Sequence, residues 1–297
     1  LKEASTMNIK RISELPALPK RPENSHKGTF GKVLIIAGDS GMSGAACLAG
    51  MGALRGGAGL VFLAVPESIQ SIVSIVNPCY LTISLHVDQQ GRLSEESESN
   101  LFDQLDQFDA VAIGPGCGQH KWIQQLTLNL YSKLKRTLVV DADALNTLAA
   151  ADKPLPTAAG PRILTPHPGE FSRLIHKSIP EIEQQREALS ITFAKQNQVV
   201  LLLKGANSII TDGIRIAVNT TGNSGMATGG SGDVLTGLIT ALSGQGLDAF
   251  EATQLAACLH GLAGDLAAKK LSQYALIASD LPNYLPEAWL SLTKNEC

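Results

Sequence analysis

The sequence predicts an α/β fold in which helices cover both faces of a central, mostly parallel sheet, and two observations predict it. Short β-branched or aliphatic runs alternate with longer helical patterns, the arrangement that buries strands on both faces. Turns rich in small residues follow several of these runs, where an open parallel sheet places its ligand crevice. A chain of 297 residues with 44% hydrophobic and 17% charged positions is long and apolar enough for the core this requires.

Taken in order, strands are expected at 33–37, 60–64, Ala110–Ile113, Thr137–Val140, Arg162–Leu164, 199–203, Ser208–Thr211 and 214–218. The last two are joined through Asp212-Gly213 and read as a β-hairpin attached to the sheet. Helices are expected at 44–55, 119–134 and 182–196, and beyond the hairpin at 234–242, 249–269 and 281–290. Gly56-Gly57-Ala58-Gly59 reads as a helix stop and turn, and 89–100 as a surface loop or helix start. With no internal repeat and no low-complexity linker, residues 25–297 read as one domain behind an N-terminal extension, 1–24.

The most informative stretch is Thr221-Gly222-Asn223-Ser224-Gly225-Met226-Ala227-Thr228-Gly229-Gly230-Ser231-Gly232-Asp233, which runs into an apolar helical segment. Glycines let backbone N–H groups approach a phosphate, and the first turn of the helix adds unpaired donors and a positive dipole end. Asp233 has two readings there: a helix cap, or a base that takes the proton of a hydroxyl attacking the phosphate. A Walker loop is excluded because Ser231 stands where its lysine must be, and the dinucleotide fingerprint fails on spacing.

Other motifs follow strands. Gly38-Asp39-Ser40-Gly41-Met42-Ser43-Gly44-Ala45 is either a tight connection or a floor for a bulky ligand, with Ala45 permitting close approach. Gly114-Pro115-Gly116-Cys117-Gly118 fixes an unusual backbone path that suits a sharp turn or a ligand. Asp141 and Asp143 either cap the next helix or help organise a hydrated magnesium, which prefers carboxylates, water and phosphate oxygens. In Thr165-Pro166-His167-Pro168-Gly169-Glu170 a histidine between prolines has a restricted backbone, which suits aiming its imidazole at a ligand or, alternatively, a structural turn. Lys204-Gly205-Ala206-Asn207-Ser208 ends an apolar strand in a turn suited to a nucleotide contact, whereas His260 reads as a satisfied core histidine.

A net charge of −3 without a basic run, and 4% aromatic residues, argue against nucleic acid as a partner. Neither a signal peptide nor a stretch of membrane-spanning length is legible. Five scattered cysteines without Cys-x-x-Cys spacing fit a reducing cytoplasm. The chain begins with Leu1, which leaves open an upstream portion of a longer polypeptide.

Taken together, Ser25-His26-Lys27-Gly28-Thr29-Phe30-Gly31, Gly114-Pro115-Gly116, Asp141 to Asn146, Thr165 to Glu170, Lys204-Gly205-Ala206 and Gly229-Gly230-Ser231-Gly232-Asp233 resemble the ADP/ATP-dependent NAD(P)H-hydrate dehydratase family, a branch of the ribokinase-like kinases. The wider superfamily ends its anion-hole loop in Gly-Ala-Gly-Asp and carries Asn-x-x-Glu near its metal. Here Ser231 replaces the alanine and His167-x-x-Glu170 the asparagine motif, as in the dehydratase branch.

The resemblance implies a three-layer ribokinase-like fold and repair of hydrated NADH or NADPH (NADHX, NADPHX): phosphorylation of the ring hydroxyl, then loss of phosphate. It makes Asp233 the base and assigns the hydrate to Ala45, Gly116, His167 and Asp233. The nucleotide falls to Lys204, Gly205, Ala206, Asn207, Ser208 and Gly232, and the anion hole to Gly229, Gly230, Ser231 and Gly232. Magnesium is expected near Glu170 and Asp141 through water. ADP is the expected donor, with ATP as the alternative, and the family suggests a homotetramer and an NAD(P)H-hydrate epimerase as functional partner. A conventional small-molecule kinase and a non-catalytic nucleotide sensor are the competing readings.

Overall fold

The computed structural model describes residues 9–87, 94–151 and 155–293. Ten strands form one sheet: β1 (Lys10–Arg11), β2 (Lys32–Ile36), β3 (Leu60–Pro66), β4 (Tyr80–Leu85), β5 (Ala110–Ile113), β6 (Thr137–Val140), β7 (Arg162–Leu164), β8 (Val200–Leu203), β9 (Ser208–Thr211) and β10 (Arg215–Asn219). Their spatial order is β1-β10-β9-β8-β7-β6-β5-β2-β3-β4. From β8 through β7, β6, β5, β2 and β3 to β4 all neighbours are parallel, while β9 is antiparallel to both β8 and β10.

The helices are α1 (Ser43–Arg55), α2 (Glu67–Val76), α3 (Glu95–Gln104), α4 (Lys121–Lys133), α5 (Ala142–Ala150), α6 (Pro168–Ile175), α7 (Ile179–Gln184), α8 (Arg186–Asn197), α9 (Ser231–Gly244), α10 (Ala249–Leu271) and α11 (Leu281–Thr293). Alternate strand residues point to opposite faces. Val33 and Ile35 pack with residues of α1, α2, α9, α10 and α11, whereas Leu34 and Ile36 pack with residues of α3 to α8. Burial on both faces is why β2 reads as an unbroken aliphatic run.

Several elements differ from expectation. The helix expected at 182–196 breaks at Gln185 (φ −134°, ψ 31°), so that Arg186 opens a new helix with its guanidinium beneath the Leu203 and Lys204 carbonyls, 3.4 and 3.3 Å away. Strands β1 and β4 and helices α2 and α6 were not anticipated. In the segment read as loop or helix start, Ser94 caps α3 through a 3.1 Å bond from the Ser97 amide, while 89–93 lie outside the described residues. The segment expected as an extension supplies β1, and its Arg21 donates to the Gly57 carbonyl at 2.6 Å.

The order reverses at β2, whose chain neighbour β3 lies on one side and β5 on the other. The connections after β2 and β5 therefore run to opposite sides, the switch point at whose carboxyl end open α/β sheets place their ligands.

Candidate active site

Turns from five adjacent parallel strands meet at this end of the sheet. Gly38 N donates to Pro115 O (2.8 Å), Asp141 N to Ile113 O (3.1 Å), Thr165 N to Val140 O (3.2 Å) and Lys204 N to Pro166 O (2.9 Å), tying the turns into one rim. Across the crevice after β2 and β5, Gly116 (φ +61°) faces the first turn of α1, and a Cβ there would stand 2.8 Å from the Ala45 methyl. Only glycine permits that approach.

Asp141 occupies the N-cap position of α5 yet makes no capping bond. Its carboxylate, 1% exposed, turns into the site. Oδ1 accepts from Lys204 Nζ (2.9 Å) and Thr165 Oγ1 (2.8 Å), and Oδ2 from Thr236 Oγ1 (2.7 Å). Burial alone would raise its pKa, but the Lys204 charge and these three bonds hold it below the usual carboxylate range.

His167 performs a structural task that the sequence did not disclose. It caps α6, with Nδ1 accepting from the amides of Gly169 (3.0 Å) and Glu170 (3.3 Å), while Glu170 Oε2 accepts from the His167 amide (2.8 Å). This closes a capping box. The other edge of the imidazole stays half-exposed, with Nε2 3.4 Å from Glu170 Oε1, and Glu170 Oε2 lies 4.0 Å from Lys204 Nζ.

The glycine loop enters α9 through Gly230, whose φ of +95° lies in the left-handed region. The Ser231 amide donates to Thr228 O (3.3 Å) and the Asp233 amide to Gly230 O (3.1 Å), but those of Gly229, Gly230 and Gly232 have no partner among the described residues. Three of the four expected anion-hole donors are thus free, and the Ser231 amide is engaged. Gly232 lies against Lys204, where a Cβ would come within 3.3 Å of Nζ. Buried His260 steadies this turn by donating from Nε2 to Ser231 O (2.9 Å), and burial lowers its pKa to about 4, so the ring is neutral.

The Asp233 carboxylate accepts no hydrogen bond from any described residue. Burial, joined by the Asp141 charge and opposed by Lys204, raises its pKa to about 7. Burial also raises the pKa of the Cys117 thiol, which lies beside Gly116. Gly205, Ala206 and Asn207 are exposed on the rim, while Ser208 Oγ turns back to Gly205 O (2.8 Å). The motif Ser25 to Gly31 stands elsewhere: it precedes β2, and the Gly59 amide reaches both Phe30 O and Gly31 O, at the amino ends of β2 and β3.

Sequence reasoning missed the two threonines on Asp141. Thr236 lies one helical turn beyond Asp233 and so on the same face, a signal the spacing did carry. It did not single out Asp39, whose Oδ2 lies 2.8 Å from His120 Nε2, and Asp143, read as a cap or a magnesium carboxylate, instead accepts from Gly118 N through Oδ2 at 2.8 Å.

Residues 33–287 match the profile of the NAD(P)H-hydrate dehydratase family. The chain belongs to that family. Among dehydratase-family relatives, it is 44% identical over 271 residues to the bifunctional NAD(P)H-hydrate repair enzyme of Moorella thermoacetica, covering 91% of this chain and 51% of that one. It is 35% identical over 276 residues to the ADP-dependent (S)-NAD(P)H-hydrate dehydratase of Bacillus subtilis, covering 92% and 94%. A crystal structure of the ADP/ATP-dependent dehydratase of Bacillus subtilis, co-crystallized with ATP and Mg2+, superposes with a TM-score of 0.79 at 33% identity over 92% of this chain and 94% of that one. The dehydratase-family chain has the expected three-layer ribokinase-like fold. It spans about half the length of the bifunctional relatives it matches.

Proposed function

We propose that the chain is an ADP-dependent (S)-NAD(P)H-hydrate dehydratase that phosphorylates the ring hydroxyl of NADHX or NADPHX and eliminates the phosphate to regenerate NAD(P)H. The observation that carries this reading is Asp233: a carboxylate with no hydrogen-bond partner among the described residues, held near neutral pKa, in the first turn of a helix whose entry presents three free amides. A base with a pKa close to working pH is suited to removing a hydroxyl proton.

In the first step Asp233 takes that proton while the hydroxyl oxygen attacks the terminal phosphorus of ADP, and the bond from phosphorus to the bridging oxygen breaks to release AMP. The amides of Gly229, Gly230 and Gly232, with Lys204, face the charge on the transferring group. In the second step the carbon–oxygen bond breaks, inorganic phosphate leaves with its electron pair, and the neighbouring ring proton passes to that phosphate as the C–H electron pair re-forms the double bond. Ala45 and Gly116 give the ring a close-approach floor, and the half-exposed edge of His167 faces the same end of the sheet.

Magnesium enters this reading with the nucleotide. No group of three or more His, Cys, Asp or Glu side chains among the described residues could hold a metal. Both Asp141 oxygens are engaged, and Glu170 Oε2 closes the capping box. These residues fit a hydrated ion carried on the phosphates, with Glu170 and Asp141 acting through water. When bound, the ion supplies positive charge to the phosphates.

On the resemblance we further propose a cytoplasmic homotetramer, with a catalytic unit at 25–297 and an extension at 1–24. The bifunctional names of the longer relatives support an NAD(P)H-hydrate epimerase as its functional partner. No described helix is long and apolar enough to cross a membrane.

The test mixes protein, magnesium and NADHX with ADP or ATP and follows the near-ultraviolet absorbance of reduced nicotinamide together with phosphate release. A nucleotide-dependent rise, faster with ADP, is expected. A phosphorylated product that keeps its phosphate would replace this reading with a conventional kinase, and nucleotide binding without turnover would replace it with a sensor.

A further inference from the structure

The anion-hole amides sit at the end of an eleven-residue connection, 220–230, that leaves β10 and enters α9. It contains Gly222, Gly225, Gly229 and Gly230, and glycines lose more conformational freedom on ordering than any other residue. Donors that stabilise a transferring phosphoryl group are effective when already in place. Something must hold this connection still.

The structure assigns that task to α10. Asn219, the last residue of β10, donates from Nδ2 to Ala257 O (3.1 Å), and Thr221 Oγ1 donates to Cys258 O (3.1 Å). Two turns further along α10, both oxygens of Asp265 grip the connection: Oδ2 accepts from the Gly222 amide and Oδ1 from Asn223 Nδ2, each at 2.9 Å. Asn223 Oδ1 then accepts from the Gly225 amide at 3.0 Å and starts the short 3-10 turn Ser224–Met226. The helix face is cut back to admit this segment. A Cβ at Gly261 would stand 2.1 Å from Thr221 Oγ1, and one at Gly264 would stand 2.1 Å from Met226 Sδ.

We propose that Asp265 is a positioning residue for phosphoryl transfer: through Gly222 and Asn223, and with Thr221 seated against Gly261 and Met226 against Gly264, it fixes the path on which the Gly229, Gly230 and Gly232 amides are presented. Asp265 forms no bond with Asp141, Glu170, Lys204 or Asp233, so its influence runs through the backbone. The role in catalysis rests on the dehydratase reading above; the clamp itself does not.

The polarity of the contact supplies a specific test. In Asp265→Asn one side-chain oxygen still serves the Gly222 amide, but the new NH2 group faces the NH2 group of Asn223 and the clamp opens. In the double variant Asn223→Asp, Asp265→Asn the polarity is exchanged: Asn at 265 donates to Asp at 223, whose second oxygen still accepts from Gly225. Displaced catalytic groups typically lower rates by up to about 100-fold, so Asp265→Asn is expected to lower kcat by about 10- to 100-fold. The KM for nucleotide should rise, and the KM for NADHX should stay within about twofold because the Ala45–Gly116 crevice is untouched. The exchanged pair should recover most of the loss.

Amide hydrogen exchange over 222–232, read on the same three proteins without substrate, should be faster in Asp265→Asn and slow again in the exchanged pair. Unchanged exchange in Asp265→Asn overturns the clamp. Faster exchange with unchanged kcat overturns its role in transfer. Were the wild type inactive on NADHX with either nucleotide, the dehydratase reading would fall, and the exchange measurement would still decide whether Asp265 orders the loop.

Discussion

The Lys204 ammonium stands 2.9 Å from Asp141 Oδ1, with the lysine side chain 20% and the aspartate side chain 1% exposed. Two hydroxyls complete the shell of a carboxylate that has left water. Removing one member of a buried pair leaves an uncompensated charge, which typically costs about 3–5 kcal/mol. Lys204→Met is therefore expected to lower stability by about that amount in urea unfolding, discounted somewhat for the partial exposure of the lysine. Adding Asp141→Asn should return much of the stability without returning turnover, because the ammonium that faces Gly232 is still missing. Equal stability of wild type and Lys204→Met would show that the pair contributes little.

Asp233 links activity and stability to pH with opposite signs. As a base it must be ionised, so kcat/KM for NADHX should climb about tenfold per pH unit below neutrality and level off above about 7, the folded-state value. Its folded pKa is raised above that of the unfolded chain, about 3.9. Relative to a neutral side chain, its contribution is therefore most favourable below about 4 and is lost as pH rises through about 7. Asp233→Asn should lose about 10²–10⁴-fold in turnover and at pH 8 should be more stable than wild type by on the order of 2 kcal/mol. An active Asp233→Asn enzyme would remove the base assignment, and a variant less stable at pH 8 would contradict the carboxyl's environment.

The 2.8 Å separation of a Cβ at 116 from the Ala45 methyl separates the two ligand assignments. Gly116→Ala drives a methyl against Ala45 and Met42 at the start of α1, on a backbone (φ +61°) that side chains rarely adopt, and so displaces the wall assigned to the hydrate. It should raise the KM for NADHX by about tenfold or more, equivalent to about 1.4 kcal/mol, and leave the KM for nucleotide within about twofold. The reverse pattern would move the hydrate elsewhere on the rim.

The fold was legible where the physics is local and strong. Strands such as β2, β5, β6 and β8 are buried on both faces and announce themselves as aliphatic runs. Strand β4 alternates Leu81, Ile83 and Leu85 with Tyr80, Thr82 and Ser84 at the sheet edge, and β1 is only Lys10–Arg11, so neither carries that signal. The site was legible as a set of turns but not as a set of bonds. No spacing rule tells that Asp141 forgoes its cap to meet Lys204, 63 positions away, or that His167 caps α6 with one edge of its ring. The grip of Asp265 on Gly222 spans 43 positions and depends on two glycines of α10 that read, in sequence, as mere weak points of a helix.

Arg162 tests whether the two ends of the sheet can be perturbed separately. It opens β7 at the end opposite the crevice and is 1% exposed. Its guanidinium donates to the carbonyls of Tyr131 (2.9 and 2.7 Å) and Leu134 (2.6 Å) at the close of α4, and to Pro161 O (2.9 Å), with the Tyr131 ring 5.5 Å away. Burial lowers its pKa to about 10, so it remains charged at neutral pH. The last carbonyls of a helix have no partner within the helix, and here one planar cation satisfies several at once. Arg162→Met should leave them buried and unpaired, at about 1–3 kcal/mol for each that water fails to reach, and lower the urea midpoint accordingly. Because no bond runs from Arg162 to the crevice residues, kcat and both KM values should match wild type at temperatures where the variant is folded. A change in kcat with an unchanged urea midpoint would show that the amino end of the sheet communicates with the site.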